Sequence, residues 1–288
     1  MMTSTLTAAR RRAERRADGA STSAPTTPDR SRRSFRRNAP LGWILPVAII
    51  VIWYILYETG VINPTLFSSP VQVIEALIES MLTGAFWENF LASATRWIVG
   101  FLIGASLGLV LGSITGLSRL SERLLDTTFQ MLRTVPFMGL VPLFVIWFGL
   151  GEMPKIILIS FAAFFPVYLA TYAGIRDIDR KLIEVGRVYE LSTFRTVKDI
   201  VMPGALPSIL QGIRLALGVA WLALVIAELN GANSGIGYWM QQGREFVRVD
   251  IVIAALLVFA VVGKLVDMFV RMLEQRLLGW RDNLAKEM

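Results

Sequence analysis

Long apolar runs recur along this chain at a length that leaves few choices of fold. A helix needs about 20 consecutive apolar residues to cross the hydrocarbon core of a bilayer. Runs of that kind occur at 41–57, 97–117, 131–150, 156–175, 208–229 and 251–270. A mean hydropathy of +0.56, with 54% hydrophobic residues, lies far above that of a soluble domain. The expectation is an all-α membrane protein with six transmembrane helices. Pro46 falls in the first run, and Pro136 and Pro142 in the third. Such breaks are tolerated where neighbouring helices satisfy the freed carbonyls.

The charges between the runs give an orientation. The connection 58–96 carries Glu58, Glu75, Glu79 and Glu88, with Arg96 its one cation. Basic residues collect instead at Arg119, Arg123 and Arg133, in the segment 176–207, and at Arg271, Arg276, Arg281 and Lys286. Cytoplasmic connections carry the excess of Lys and Arg, so six spans put both termini and the 176–207 loop inside. Residues 1–38 are rich in Arg, Ser, Thr, Ala and Pro and poor in large apolar residues. They read as a disordered basic cytoplasmic tail that meets anionic headgroups, with 39–288 as the membrane domain. No folded reader or aromatic platform accompanies those arginines, which argues against nucleic acid. Ser31-Arg32-Arg33-Ser34-Phe35 looks like a twin-arginine signal, but no small-residue cleavage site follows the first run. Residues 71–82 have helical periodicity, with Glu75 and Glu79 opposite an apolar side, and read as an external surface helix.

The second run holds Gly100, Gly104, Gly108, Gly112 and Gly116. Residues four apart stay near one helical face, drifting about 40° per step. A seam against another helix is the first reading of that face, and the lining of a narrow pathway is the second. Arg133, Arg214, Glu228, Lys264 and Asp267 lie in or near apolar runs, where a charge is costly. Lys264 and Asp267 are expected to neutralise each other at three-residue spacing, and Arg214 to reach the inner headgroups. Glu228 reads either as a solvated interfacial carboxylate or as a pathway residue, and Arg133 as a group able to meet an anionic solute.

Cys and His are both absent, which removes disulfides, thiol nucleophiles and a His base. Asp177, Asp179 and Glu184 adjoin basic residues and make a poor start for a membrane enzyme. A channel or ion-driven carrier would place acids mid-membrane or show inverted repeats, and neither is evident. Gly263-Lys264 is followed by Leu265, so no phosphate-binding loop is present.

The segment 176–207 is the longest charged stretch between two strongly apolar ones. Leu182, Val185 and Tyr189 recur at helical spacing, as do Phe194, Val197, Ile200 and Val201. Ser192 suits a helix cap, and Pro203-Gly204 is expected to stop the second helix. Two short amphipathic helices joined at a corner make a docking element.

Glu184-Val185-Gly186, then Glu190, then Ile200-Val201-Met202-Pro203 keep the spacing of a longer motif. It resembles the cytoplasmic coupling loop of ATP-binding-cassette importer permeases: Glu-Ala-Ala, Gly after three residues, Ile after nine, then Leu-Pro. The resemblance continues through 203–209, Gly212-Ile213-Arg214 and Ala232-Asn233-Ser234-Gly235-Ile236-Gly237-Tyr238. From residue 41 onward the chain is similar to the aliphatic sulfonate, nitrate and taurine branch. The resemblance implies a permease working as a homodimer in the bacterial inner membrane. It also implies a separate ATPase subunit that binds the ATP, an external solute-binding protein, and a small oxyanion or organosulfonate as solute. Glu184, Val185, Gly186, Glu190, Ile200 and Pro203 would then serve ATPase coupling. Glu190 stands where the family has Gly. Since Glu resists the left-handed conformation, the first loop helix is expected to run on through Leu191, with Arg187 pairing with Glu190.

Overall fold

The computed structural model describes residues 41–64 and 66–277, with side chains from residue 44 onward. The basic tail, Arg281 and Lys286 lie outside the described residues. All regular structure among the described residues is helical. Of a first unit ending at Val51, the structure describes the apolar first part of α1 (Leu41–Glu58), which holds Pro46.

From Ile52 on, the second unit contains the remaining helices. α2 (Pro70–Leu82) begins at a capping box, in which the Gln72 amide donates to Ser69 Oγ and the Ser69 amide to Gln72 Oε1. α3 (Ala85–Leu117) starts twelve residues before the run predicted at 97, carrying Arg96 into the helix. α4 (Arg119–Thr134) and α5 (Phe137–Phe148) meet at a 97° bend. The third predicted span, 131–150, is therefore not one straight helix. Pro136 supplies the reason: it lacks an N–H and drives Val135 to an extended conformation (ψ 123°), which ends α4.

α6 (Glu152–Arg176) is followed by α7 (Arg180–Val188) and a single turn, α8 (Thr193–Thr196). A π-helical turn at Val197–Val201 leads straight into α9 (Met202–Leu229). Pro203 was expected to stop this helix, yet the chain stays helical from Thr193 to Leu229. The wider turn gives the Met202 amide a partner in the Val197 carbonyl. Pro203 then falls at the junction of the π turn and α9, where the irregular hydrogen-bond ladder accommodates a residue that has no N–H to donate. α10 (Ile236–Glu245) and α11 (Val249–Leu277) complete the described chain.

Among the described residues, α3, α6, the Thr193–Leu229 helix and α11 are long and apolar enough to cross a membrane. The bent α4–α5 pair makes a fifth if taken as one broken span, and the apolar helix Ile44–Glu58 is shorter. Length and hydropathy thus support four or five crossings, and the sixth rests on α1.

The centre of the fold is α6, held between α3 and α9. The five glycines of α3 all face α6. A Cβ added at Gly108 would lie 2.8 Å from the Phe164 carbonyl oxygen, and one at Gly112 would lie 2.7 Å from that of Tyr168. At Gly100 and Gly116 it would strike Ile159 and Ile175, and at Gly104 the Ser160 carbonyl. On the other side of α6, Gly174 admits Ser208, and Gly212 admits Ala170. The buried core lies along these contacts, with Ile159, Ala163, Val167, Ala216, Ala220 and Leu224 fully enclosed.

Gly108→Leu places four heavy atoms where the α6 backbone already stands. It should cost about 1–3 kcal/mol or more, read as a lower melting midpoint in detergent and reduced yield of folded protein. A midpoint matching the parent would overturn the assignment of this seam.

Candidate functional site

The two helices predicted within 176–207 are present, and α7 shows three distinct faces. Asp179 caps it by accepting from the Lys181 amide at 2.9 Å. Gly186 is buried, and a Cβ there would lie 3.0 Å from Ile200 Cδ1. The missing side chain lets α7 cross close over the π turn, which brings Gly186 and Ile200 of the motif together. Leu182, Val185 and Tyr189 stand exposed on a second face, with Tyr189 at 76% and the nearby Phe194 also at 76%. Apolar side chains this exposed leave that face of the charged loop uncovered. Glu184 lies on the third face with Arg180 and Arg187, and is exposed.

The corner after α7 corrects the sequence reading. The helix ends at Val188 rather than continuing through Leu191, and Glu190 adopts the left-handed conformation at φ 53°. The Leu191 amide donates to the Gly186 carbonyl at 2.9 Å and the Glu190 amide to that of Arg187 at 3.0 Å. Those two bonds define a Schellman motif, in which Glu190 takes the place usual for Gly. The pair of bonds compels the conformation that Glu resists locally. No ion pair joins Arg187 to Glu190 among the described residues.

At the opposite end of the same helices lies a cluster that the sequence reading missed. Glu228 is 1% exposed, Ser93 0% and Arg96 4%, so neither Glu228 nor Arg96 is solvated. Arg96 Nη1 donates to Glu228 Oε1 at 2.7 Å and to the Ser234 carbonyl at 2.6 Å. Its Nε and Nη2 reach the two oxygens of Glu152 at 2.5 and 2.9 Å, and Nη2 also donates to Ser234 Oγ. Lys155 Nζ adds a contact to Glu152 at 2.9 Å. The Ser93 hydroxyl donates to the Glu228 carboxylate and accepts from the Ile236 amide, and the Gly237 amide donates to Glu228 Oε2. The carboxylate thus sits at the N-terminus of α10, where the helix dipole favours it. Gly235, at φ 118°, is required because a Cβ there would fall on that carboxylate.

Two further expectations are corrected. Lys264 is exposed and does not pair with Asp267, which accepts from Arg214 at 2.8 Å and Arg271 at 2.9 Å. Arg214 is therefore held by α11, including Glu274 at 3.7 Å, rather than free to reach headgroups. Arg133 sits exposed in the last turn of amphipathic α4, before the bend, not at the start of a span.

Glu190→Gly should raise stability by about 0.5–1 kcal/mol, since Gly removes the left-handed cost but adds chain entropy to the unfolded state. The Glu190 side chain makes no hydrogen bond among the described residues, so none is lost. A lower melting midpoint would mean that the corner is held by something other than the two backbone bonds.

The chain is 47% identical over 242 residues to a protein of Bacillus subtilis named as aliphatic sulfonates transport permease SsuC, covering 84% of this chain and 88% of that one. It is 45% identical over 238 residues to the Escherichia coli protein of the same name, covering 83% and 90%. It is 33% identical to the Escherichia coli taurine transport system permease TauC over 81% of this chain and 86% of that one. Its fold matches a chain of the MetNI methionine ABC transporter in an inward-facing conformation, with a TM-score of 0.58 at 16% identity, over 68% of this chain and 95% of that one. A chain of an amino acid ABC transporter gives a TM-score of 0.59 at 14% identity, over 69% and 97%. Residues 104–279, which include the whole α7–α9 corner, match the family described as binding-protein-dependent transport system inner membrane component, and the chain belongs to that family.

Proposed function

We propose that this chain is the permease subunit of an ATP-driven importer of aliphatic sulfonates. The observation that carries the reading is identity of 47% and 45%, over more than four fifths of the chain, to two relatives named for that solute class. The taurine and bicarbonate relatives stand lower, at 33% and 31%. The energy comes from a separate ATPase subunit, because the sequence contains no phosphate-binding loop of its own. That subunit seats on the exposed Leu182–Val185–Tyr189 face of α7, while Glu184 serves the coupling from the opposite side of the helix, beside Arg180 and Arg187. An extracytoplasmic solute-binding protein and a second copy of the chain complete the transporter.

In the bacterial inner membrane, six crossings count α1 and the bent α4–α5 pair, with both termini cytoplasmic. The buried Glu228 is fully occupied by its partners and serves to hold the outer end together. Arg133, exposed at the bend, is the better candidate to meet an anion in the pathway.

The coupling assignment is tested by Val185→Lys, on the exposed face of α7, in proteoliposomes holding the ATPase and the binding protein. The variant should insert normally, yet lose most ATPase co-purification and most ATP-dependent sulfonate uptake. Uptake equal to the parent would reject the coupling role, and no sulfonate uptake by the parent would reject the solute.

Orientation is read with single cysteines, since the native chain has none. An impermeant thiol reagent should label Glu245→Cys in intact cells and spare Thr193→Cys. Labelling at Thr193 would reverse the topology.

A further inference from the structure

A cavity of about 650 Å³ opens where α3 and α6 end and α7 begins. Its floor is apolar, formed by Gly116, Leu117, Ile175, Ile178 and Val201. Its rim is basic. Arg119 enters from the start of α4, and Arg180 and Arg187 from one face of α7, with Glu184 between them. Arg176 also lines it but is already paired with Glu122. Among the described residues no hydrogen bond or ion pair engages the side chain of Arg119, Arg180 or Arg187, and all three are exposed. Three unengaged guanidinium groups against one exposed carboxylate leave the cavity strongly electropositive.

We propose that this cavity binds the headgroup of an anionic phospholipid. Guanidinium groups suit a phosphate because their forked donors match its oxygens. Basic pockets between membrane helices at their inner ends take such headgroups. Two observations favour a lipid over an acidic segment of the ATPase. The apolar floor continues into an exposed stripe on α3, with Leu117, Ile114 and Val110 at three- and four-residue spacing, each about half exposed. That stripe offers an acyl chain a track leading away from the rim. Arg180, Glu184 and Arg187 also lie on the side of α7 opposite Leu182, Val185 and Tyr189, since residues three, four and seven apart share a face. The ATPase and the lipid therefore use different sides of one helix. Only the leaflet that supplies the lipid rests on the orientation proposed above.

The test is the melting midpoint of the full-length chain, purified in detergent without ATPase, binding protein or solute. Phosphatidylglycerol should raise the midpoint saturably, while phosphatidylcholine and inorganic phosphate should not. Arg119→Gln with Arg180→Gln should weaken the apparent phosphatidylglycerol affinity about tenfold or more, leaving the lipid-free midpoint and ATPase co-purification unchanged. Arg119→Gln alone should give part of that loss, which keeps the test valid if the double variant fails to fold. An undiminished phosphatidylglycerol effect in both variants would overturn the proposal. An equal shift with inorganic phosphate would make the site one for free anions, and loss of ATPase binding in the variants would assign the rim to that subunit. Because the lipid effect is measured on the chain alone, it stands or fails independently of the importer reading.

Discussion

The backbone-to-backbone approach of α3 and α6 is the contact on which the other parts depend. In lipid, apolar side chains gain little by leaving their surroundings for one another, so helices associate through close packing and interhelical hydrogen bonds. Five glycines on one face of α3 remove the side chains that would hold the axes apart, and the carbonyls of Ser160, Phe164 and Tyr168 occupy the space. Gly174 and Gly212 repeat the device between α6 and α9. The result is a three-helix unit in which α6 has little freedom to slide, and both ends of that unit carry polar machinery.

At the end where α6 starts, the polar groups form a closed set. Arg96 and Lys155 face Glu152 and Glu228, so two cations meet two anions. Removing Arg96, Lys155 and Glu228 from water is expensive, while Glu152 stays more than half exposed, and the mutual attraction roughly offsets that cost rather than adding much stability. What the set supplies is register. α3, α6, α9 and the loop before α10 each contribute a group, and sliding any one of them would strand a buried charge. The glycine seam fixes the distance between helices, and the ion cluster fixes their height.

The parts of this architecture that were legible in the sequence are those written within a single helix. The long apolar runs gave the all-α membrane class, the four-residue glycine spacing gave a seam, and the apolar stripe of Leu182, Val185 and Tyr189 gave the amphipathic helix α7. The readings that failed concern partners far apart in sequence. Asp267 pairs with Arg214, 53 residues away, instead of the neighbouring Lys264. Arg96 meets Glu228 across 132 residues. A local rule misled at the corner after α7 too, and the corner after α10 repeats its geometry. Glu190 at φ 53° and Val247 at φ 56° each occupy a left-handed position that intrinsic preference assigns to Gly. In both, a pair of backbone bonds back to the preceding helix sets the conformation; after α10 these run from Val247 to Arg244 and from Arg248 to Gly243. Pro203 read as a stop because the sequence does not display the π turn that accommodates it.

The same local features make the corner around α7 stiff despite its short helices. α7 is only nine residues long and would be marginal on its own. It is held at its start by the Asp179 cap, in the middle by the contact of Gly186 with Ile200, and at its end by the two bonds around Glu190. Ile200 belongs to the continuous Thr193–Leu229 helix, and α7 itself follows α6 after only three residues. A push on the exposed face of α7 is therefore delivered to α6 through the chain and to α9 through Ile200. Those are the two helices that the glycine contacts lock together and that carry Glu152 and Glu228 at their far ends. A long flexible loop at this place would absorb such a displacement. A capped helix wedged between the ends of two membrane-length helices passes it on.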